Sequence, residues 1–180
     1  MSFSMRTFLL LVLVSVCRAG WFFGPSAEEC IETAVDAAKK GDLKGIQSCL
    51  DAGWDVNAKN EYGGTALQYA ARNGNMDVIA ALIKAGADVN GKDKYGDTAL
   101  HDSAHYGYVD AIAALIKAGA VVNAKNKNGR TALHVAAYEG KVNVMAALIK
   151  TGADVNARAI YVCMYSKSIE ECVISYYVSK

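Results

Sequence analysis

The sequence predicts an all-α solenoid, made of helix-turn-helix units of 33 residues joined by β-turn fingers. Three recurrences predict it. Thr-Ala-Leu stands at 65–67, 98–100 and 131–133. Glycine keeps the same step at 41, 74, 107 and 140, and again at 53, 86, 119 and 152. Asn57, Asn90, Asn123 and Asn156 each follow a valine at the close of a unit. A self-similar step of this length marks stacked supersecondary units, none of which can bury its apolar face alone.

The chain opens differently from its repeats. One cation precedes Phe8–Val16 (FLLLVLVSV), and Cys17-Arg18-Ala19 ends the run with small outer residues. That layout predicts a secretory signal peptide over residues 1–19, cleaved after Ala19, with 20–27 as a spacer. The apolar run is too short to span a bilayer, so no membrane span is expected after cleavage; an uncleaved anchor is the competing reading. Bulky Val16 argues against lipid attachment at Cys17. The 180 residues carry a formal charge of +1, and losing Arg6 and Arg18 leaves the mature chain near neutral. Such a balance excludes the basic footprint of a nucleic-acid binder. A single proline and 53% hydrophobic residues predict an ordered chain.

Within a unit, each element has a local cause. Tyr95-Gly96 and Asn128-Gly129 are turn signals, with glycine free to take positive φ. Thr98 is a good N-cap for the first helix. Leu100, Ser103 and Ala104 give that helix a small inner face, and Gly107 ends it. The second helix is expected over 109–117, with Ile112, Leu115 and Ile116 at i, i+3, i+4 spacing. Gly119 stops it, and AVVNAK leads to the next turn.

The three units GGTALQYAARNG…KAGADVN, GDTALHDSAHYG…KAGAVVN and GRTALHVAAYEG…KTGADVN resemble the ankyrin repeat, whose pattern is turn, T-P-L-H-x-A, helix, Gly, helix, G-A-D-V-N. The resemblance covers residues 28–158. It implies an N-terminal cap over 28–58, without a turn finger and with a polar outer face, and repeats at 59–91, 92–124 and 125–158. Ala66, Ala99 and Ala132 stand where the family has proline, which removes some preorganisation of the helix start. After GADVNAR the register fails. Residues 159–180 form an irregular tail, either an improvised cap or the mark of a truncated or misjoined reading frame, and VISYYV within it is β-prone and uncharged.

His101 and His105, four apart with Asp102 between, approach the H-E-x-x-H zinc pattern. His101 is the family's T-P-L-H histidine, however, repeated as His134 and replaced by Gln68, and is expected to bond across the turn. No third ligand is evident, and an aspartate occupies the general-base slot. A metal-dependent hydrolase is therefore the remote alternative; no catalytic residue, metal or other cofactor is assigned.

A stacked solenoid offers a surface rather than a reaction chamber. The resemblance implies partner binding on the concave face, at the turn fingertips and the exposed side of the first helices. By register these positions are Lys59, Glu61, Tyr62, Arg72, Lys92, Lys94, Tyr95, Asp97, His105, Tyr106, Lys125, Lys127, Arg130, Tyr138 and Glu139, with Gly64, Asn73 and Asn128 beside them. They vary between repeats while the framework hardly changes. Seven cations against three anions, with four tyrosines, favour a protein partner bearing an acidic patch. The expected function is a non-catalytic protein-protein interaction module in an exported, monomeric chain; a secreted effector engaging a host protein is the alternative within binding. A purely structural spacer is disfavoured by the tyrosines.

Cys30 and Cys49 fall where the family's cap places buried leucines, at helix ends expected to meet. In an oxidising compartment they are a candidate disulfide, and Cys163 with Cys172 a weaker second pair.

Overall fold

The computed structural model describes residues 29–157. The signal segment 1–19, the spacer 20–27, the tail 159–180 and Cys163 with Cys172 lie outside the described residues. Eight α-helices fill them: α1 (Cys30–Lys40), α2 (Leu43–Asp51), α3 (Ala66–Asn73), α4 (Met76–Lys84), α5 (Ala99–Tyr106), α6 (Val109–Lys117), α7 (Ala132–Tyr138) and α8 (Val142–Lys150). No helix among the described residues is long and apolar enough to cross a membrane.

Caps set these boundaries. Thr65, Thr98 and Thr131 hold extended backbone angles just before the first helix of each repeat. In the first of them the Thr65 hydroxyl accepts from Gln68 N–H, and Thr65 N–H donates to Gln68 Oε1, a reciprocal capping box. Alanine at the first helical position starts all three helices without proline's help. Gly41, Gly74 and Gly107 end α1, α3 and α5 in the left-handed conformation. The third repeat departs slightly: α7 ends at Tyr138, Glu139 keeps φ −84°, and the positive angle passes to Gly140.

The helices form two rows. First helices α1, α3, α5 and α7 pack side by side, second helices α2, α4, α6 and α8 pack behind them, and each pair is antiparallel about its glycine. Leu67, Leu100 and Leu133 fill equivalent places in the first row; Val78, Ile79 and Leu82, and then Ala111, Ile112 and Leu115, do so in the second. All belong to one continuous core. Each buried leucine or isoleucine contributes roughly 1.5–3 kcal/mol. Ala70, Ser103 and Ala136 are fully buried small residues of the first helices, where a larger side chain would have no room.

The recurrent asparagines join units. Asn57, Asn90 and Asn123 donate through Nδ2 to the carbonyls of Gly86, Gly119 and Gly152. Their Oδ1 atoms accept from the backbone N–H of Asp88, Val121 and Asp154, at 2.7 to 2.8 Å. A polar residue thus repeats because its two bonds are made to the next unit.

Candidate functional site

The fingertips are built by their own side chains. Asn60, Asp93 and Asn126 each accept two backbone N–H bonds through Oδ1, from the residues two and four positions on. These Asx turns hold the fingers in one shape, so that Tyr62 and Tyr95 project from equivalent places. Neighbouring fingers touch through backbone as well: Lys127 N–H donates to the Tyr95 carbonyl at 3.0 Å.

The structure gives two of the sequence-assigned cations a framework role. Lys59 Nζ donates to the Lys92 carbonyl, and Lys92 Nζ to the Lys125 carbonyl, each at 2.8 Å. One lysine per finger ties the stack together. Lys94 instead lies over aromatic rings, 4.5 Å from the Tyr62 centroid and 5.4 Å from that of Tyr95. The positive character of the fingertips comes from five exposed lysines, Lys59, Lys92, Lys94, Lys125 and Lys127.

Behind the fingers, the exposed side of the first helices carries paired charges. Arg72 donates through Nε (3.2 Å) and Nη2 (2.9 Å) to Asp102 Oδ1 in the next repeat. His105 Nδ1 lies 3.2 Å from Glu139 Oε1, again one repeat on. Arg130 stacks over Tyr138 at 5.3 Å, and His105 meets Tyr106 edge-on at 4.6 Å. Glu61 is exposed beside Tyr62, and Asp97 Oδ1 accepts from Asn126 Nδ2 at 2.8 Å.

None of the fifteen positions assigned from the sequence is buried; Arg72, Asp97, Arg130 and Glu139 are half-buried and the others exposed. Nine of them gather round two clefts. One, of about 400 Å³, is lined by Asp97, His105, Tyr106, Arg130, Tyr138 and Glu139 among others. The second, of about 300 Å³, takes Tyr62 and Tyr95, and Arg72 borders both. Lys59, Glu61, Lys92, Lys94, Lys125 and Lys127 stay on the fingers, outside these linings.

The sequence reading missed Asp102 and Tyr69. Asp102 is 7% exposed and lines the larger cleft. Burial pushes its carboxyl up to about 7, against the pull of the Arg72 guanidinium. Tyr69 accepts from Asn60 Nδ2 at 2.9 Å and carries both Lys39 and Arg72 over its ring. A signal for both existed. Residues 69, 102 and 135 occupy one register position and read Tyr, Asp and Val, as variable as the fingertip positions.

His101 has no ring nitrogen to offer a metal. Its Nδ1 accepts from Thr98 N–H at 3.3 Å, and its Nε2 bonds the Arg130 carbonyl at 3.0 Å. Burial lowers its pKa, in keeping with a neutral ring. His134 repeats the Nδ1 contact with Thr131 at 3.2 Å. Among the described residues no group of three or more metal-binding side chains converges.

Cys30 and Cys49 do meet. Both are fully buried thiols in this structure, with Cys49 Sγ 3.9 Å from the Cys30 carbonyl oxygen.

The comparison with curated proteins returns no match. A family model described as ankyrin repeats, in three copies, matches residues 35–126 and 103–159. Ankyrin repeats are generally protein-protein interaction modules and typically non-catalytic. The matched segments together span well over half of the sequence and coincide with the stacked helix pairs, so the chain belongs to the ankyrin-repeat family.

Proposed function

We propose that this chain is a non-catalytic module of an exported protein, holding a partner protein on its concave face and turn fingertips. One observation carries the reading. Tyr62, Tyr95, Tyr106 and Tyr138 keep 46 to 68% of their surface exposed along the fingers and first helices, where folding alone gives rings no reason to stay in water. Tyrosine delivers large contact area at low entropic cost and is enriched at binding hot spots. Lys94, Lys125 and Lys127 at the tips favour an acidic patch on the partner. Export rests on residues 1–19, and secreted protein whose N-terminus is Gly20 would support it.

The test is capture of the partner from the native extract by the full mature chain, followed by alanine variants. Tyr95→Ala, Tyr106→Ala, Arg130→Ala and Tyr138→Ala should weaken capture, the best of them by about 2 kcal/mol or more. Lys84→Ala and Lys117→Ala, at exposed ends of second helices, should leave it intact. Equal losses from both groups would rule out the concave side as the binding face.

A further inference from the structure

Three carboxylates line the larger cleft, and among the described residues each is bonded through a single oxygen. Asp97 uses Oδ1 for Asn126, Asp102 uses Oδ1 for Arg72, and Glu139 uses Oε1 for His105. Asp102 is the informative one. Its side chain is more than nine-tenths buried, and Oδ2 has no hydrogen-bond partner among the described residues. A buried carboxylate oxygen left without a donor is costly, and such positions call for an explanation. The framework does not supply one, since the equivalent residues Tyr69 and Val135 make no comparable demand.

We propose that this cleft is a binding site for a guanidinium group, the arginine side chain of the partner protein, which lies between Tyr106 and Tyr138, pairs with the half-buried carboxylates of Asp97 and Glu139, and gains Asp102 Oδ2 when that side chain turns towards the cleft. Guanidinium presents five donors in a plane, enough to serve several half-used carboxylates at once, and it stacks on tyrosine faces. It is also more weakly hydrated than ammonium, which suits a partly enclosed site. Besides His105, the ionisable lining is Asp97, Asp102 and Glu139 against Arg72 and Arg130. Arg72 is already matched by Asp102 Oδ1, and Arg130 lies over Tyr138. A volume of about 400 Å³ is ample for the end of one arginine side chain. The partner would then meet the lysine-bearing fingertips with acidic residues and the cleft with arginine, an alternation that fixes its register.

The inference rests on the concave face being the binding surface, and the experiment separates the two. Full-length chain labelled with ¹⁵N is titrated at pH 7.5 with N-acetyl-arginine methylamide, and in parallel with its uncharged isostere, N-acetyl-citrulline methylamide. The arginine probe should shift the amides around Asp102, Tyr106 and Tyr138, and bind at least about tenfold more tightly than citrulline. In Asp102→Asn that preference should collapse towards unity. Glu139→Gln, which alters a half-exposed side chain and leaves the core untouched, should reduce it as well. Equal binding of the two probes, shifts confined to other surfaces, or a preference that survives both substitutions would overturn the arginine site. If capture of the partner is lost in Tyr95→Ala while the probes show no preference, the binding face stands and the arginine site falls.

Discussion

His101 Nε2 lies 3.0 Å from the carbonyl oxygen of Arg130, so one histidine joins the start of its own helix to the next finger. In the preceding unit Gln68 Nε2 reaches the Asp97 carbonyl at 2.7 Å and does the same work. Since His101 Nδ1 accepts from Thr98 N–H, Nε2 carries the proton and the ring is neutral.

His101→Gln should therefore fold with nearly unchanged stability at pH 7.5, whereas His101→Ala leaves the buried Thr98 N–H and the part-buried Arg130 carbonyl without this partner and should lose about 1–3 kcal/mol. The pH dependence follows from burial lowering the folded pKa below 6.5. Its contribution is present above pH 6.5 and is lost as pH falls through the folded pKa, because the unfolded chain then binds the extra proton. Urea unfolding at pH 5 and 7.5 should show the glutamine variant gaining on the parent at acid pH. An identical difference at both pH values would contradict this.

Asp102 has the opposite sign. Its folded pKa, about 7, lies above its ordinary 3.8. The proton is held more tightly by the folded chain, so its stabilising effect is complete below pH 3.8 and disappears as pH rises through 7. Relative to Asp102→Asn, the parent should lose stability between pH 5 and 8. Losing the Arg72 bond offsets the variant by a constant amount, and only the slope carries the test. A flat difference across the range means that Asp102 titrates as an ordinary carboxylate.

Gly96 answers to two constraints at once. Its φ is +80°, and an added Cβ would come 2.8 Å from Lys127 N, the atom that bonds the Tyr95 carbonyl. Gly86 shares the positive φ, at +90°, but its Cβ would meet nothing within 4 Å. Backbone strain of order 1–3 kcal/mol applies to alanine at both sites. Gly96→Ala should lose more, and hydrogen exchange at Lys127 should quicken in that variant alone. Matching losses would mean that the fingers do not need their close approach.

The cap's cysteines give a chemical readout. Burial pushes the Cys49 thiol up to about 12, and the thiolate is the reactive form. In reduced native protein, peptide mapping after brief iodoacetamide treatment should find Cys30 and Cys49 unmodified, with both labelled once guanidinium unfolds the chain. Protein recovered from its own exporting cells without reductant decides the disulfide: a Cys30–Cys49 peptide supports the bridge, and two alkylated thiols after unfolding exclude it.

The architecture was legible in the amino-acid sequence. The Thr-Ala-Leu caps, the positive-φ glycines and the apolar spacing act over one helical turn, and three copies of each removed the ambiguity that a single short helix carries. The sequence also shows that His101 serves the repeat, because its counterparts at 68 and 134 share its place. What individual charges do was not legible there. Lys59 meets the Lys92 carbonyl across 33 residues, and Arg72 meets Asp102 across 30. Stacking creates these pairs, since residues one repeat apart become neighbours and their side chains settle whichever bonds the packed helices allow. In the sequence Asp102 was the shorter acid beside His101. Packed against α3 and α7 it became a buried carboxylate facing a cleft, a property that belongs to its neighbours as much as to itself.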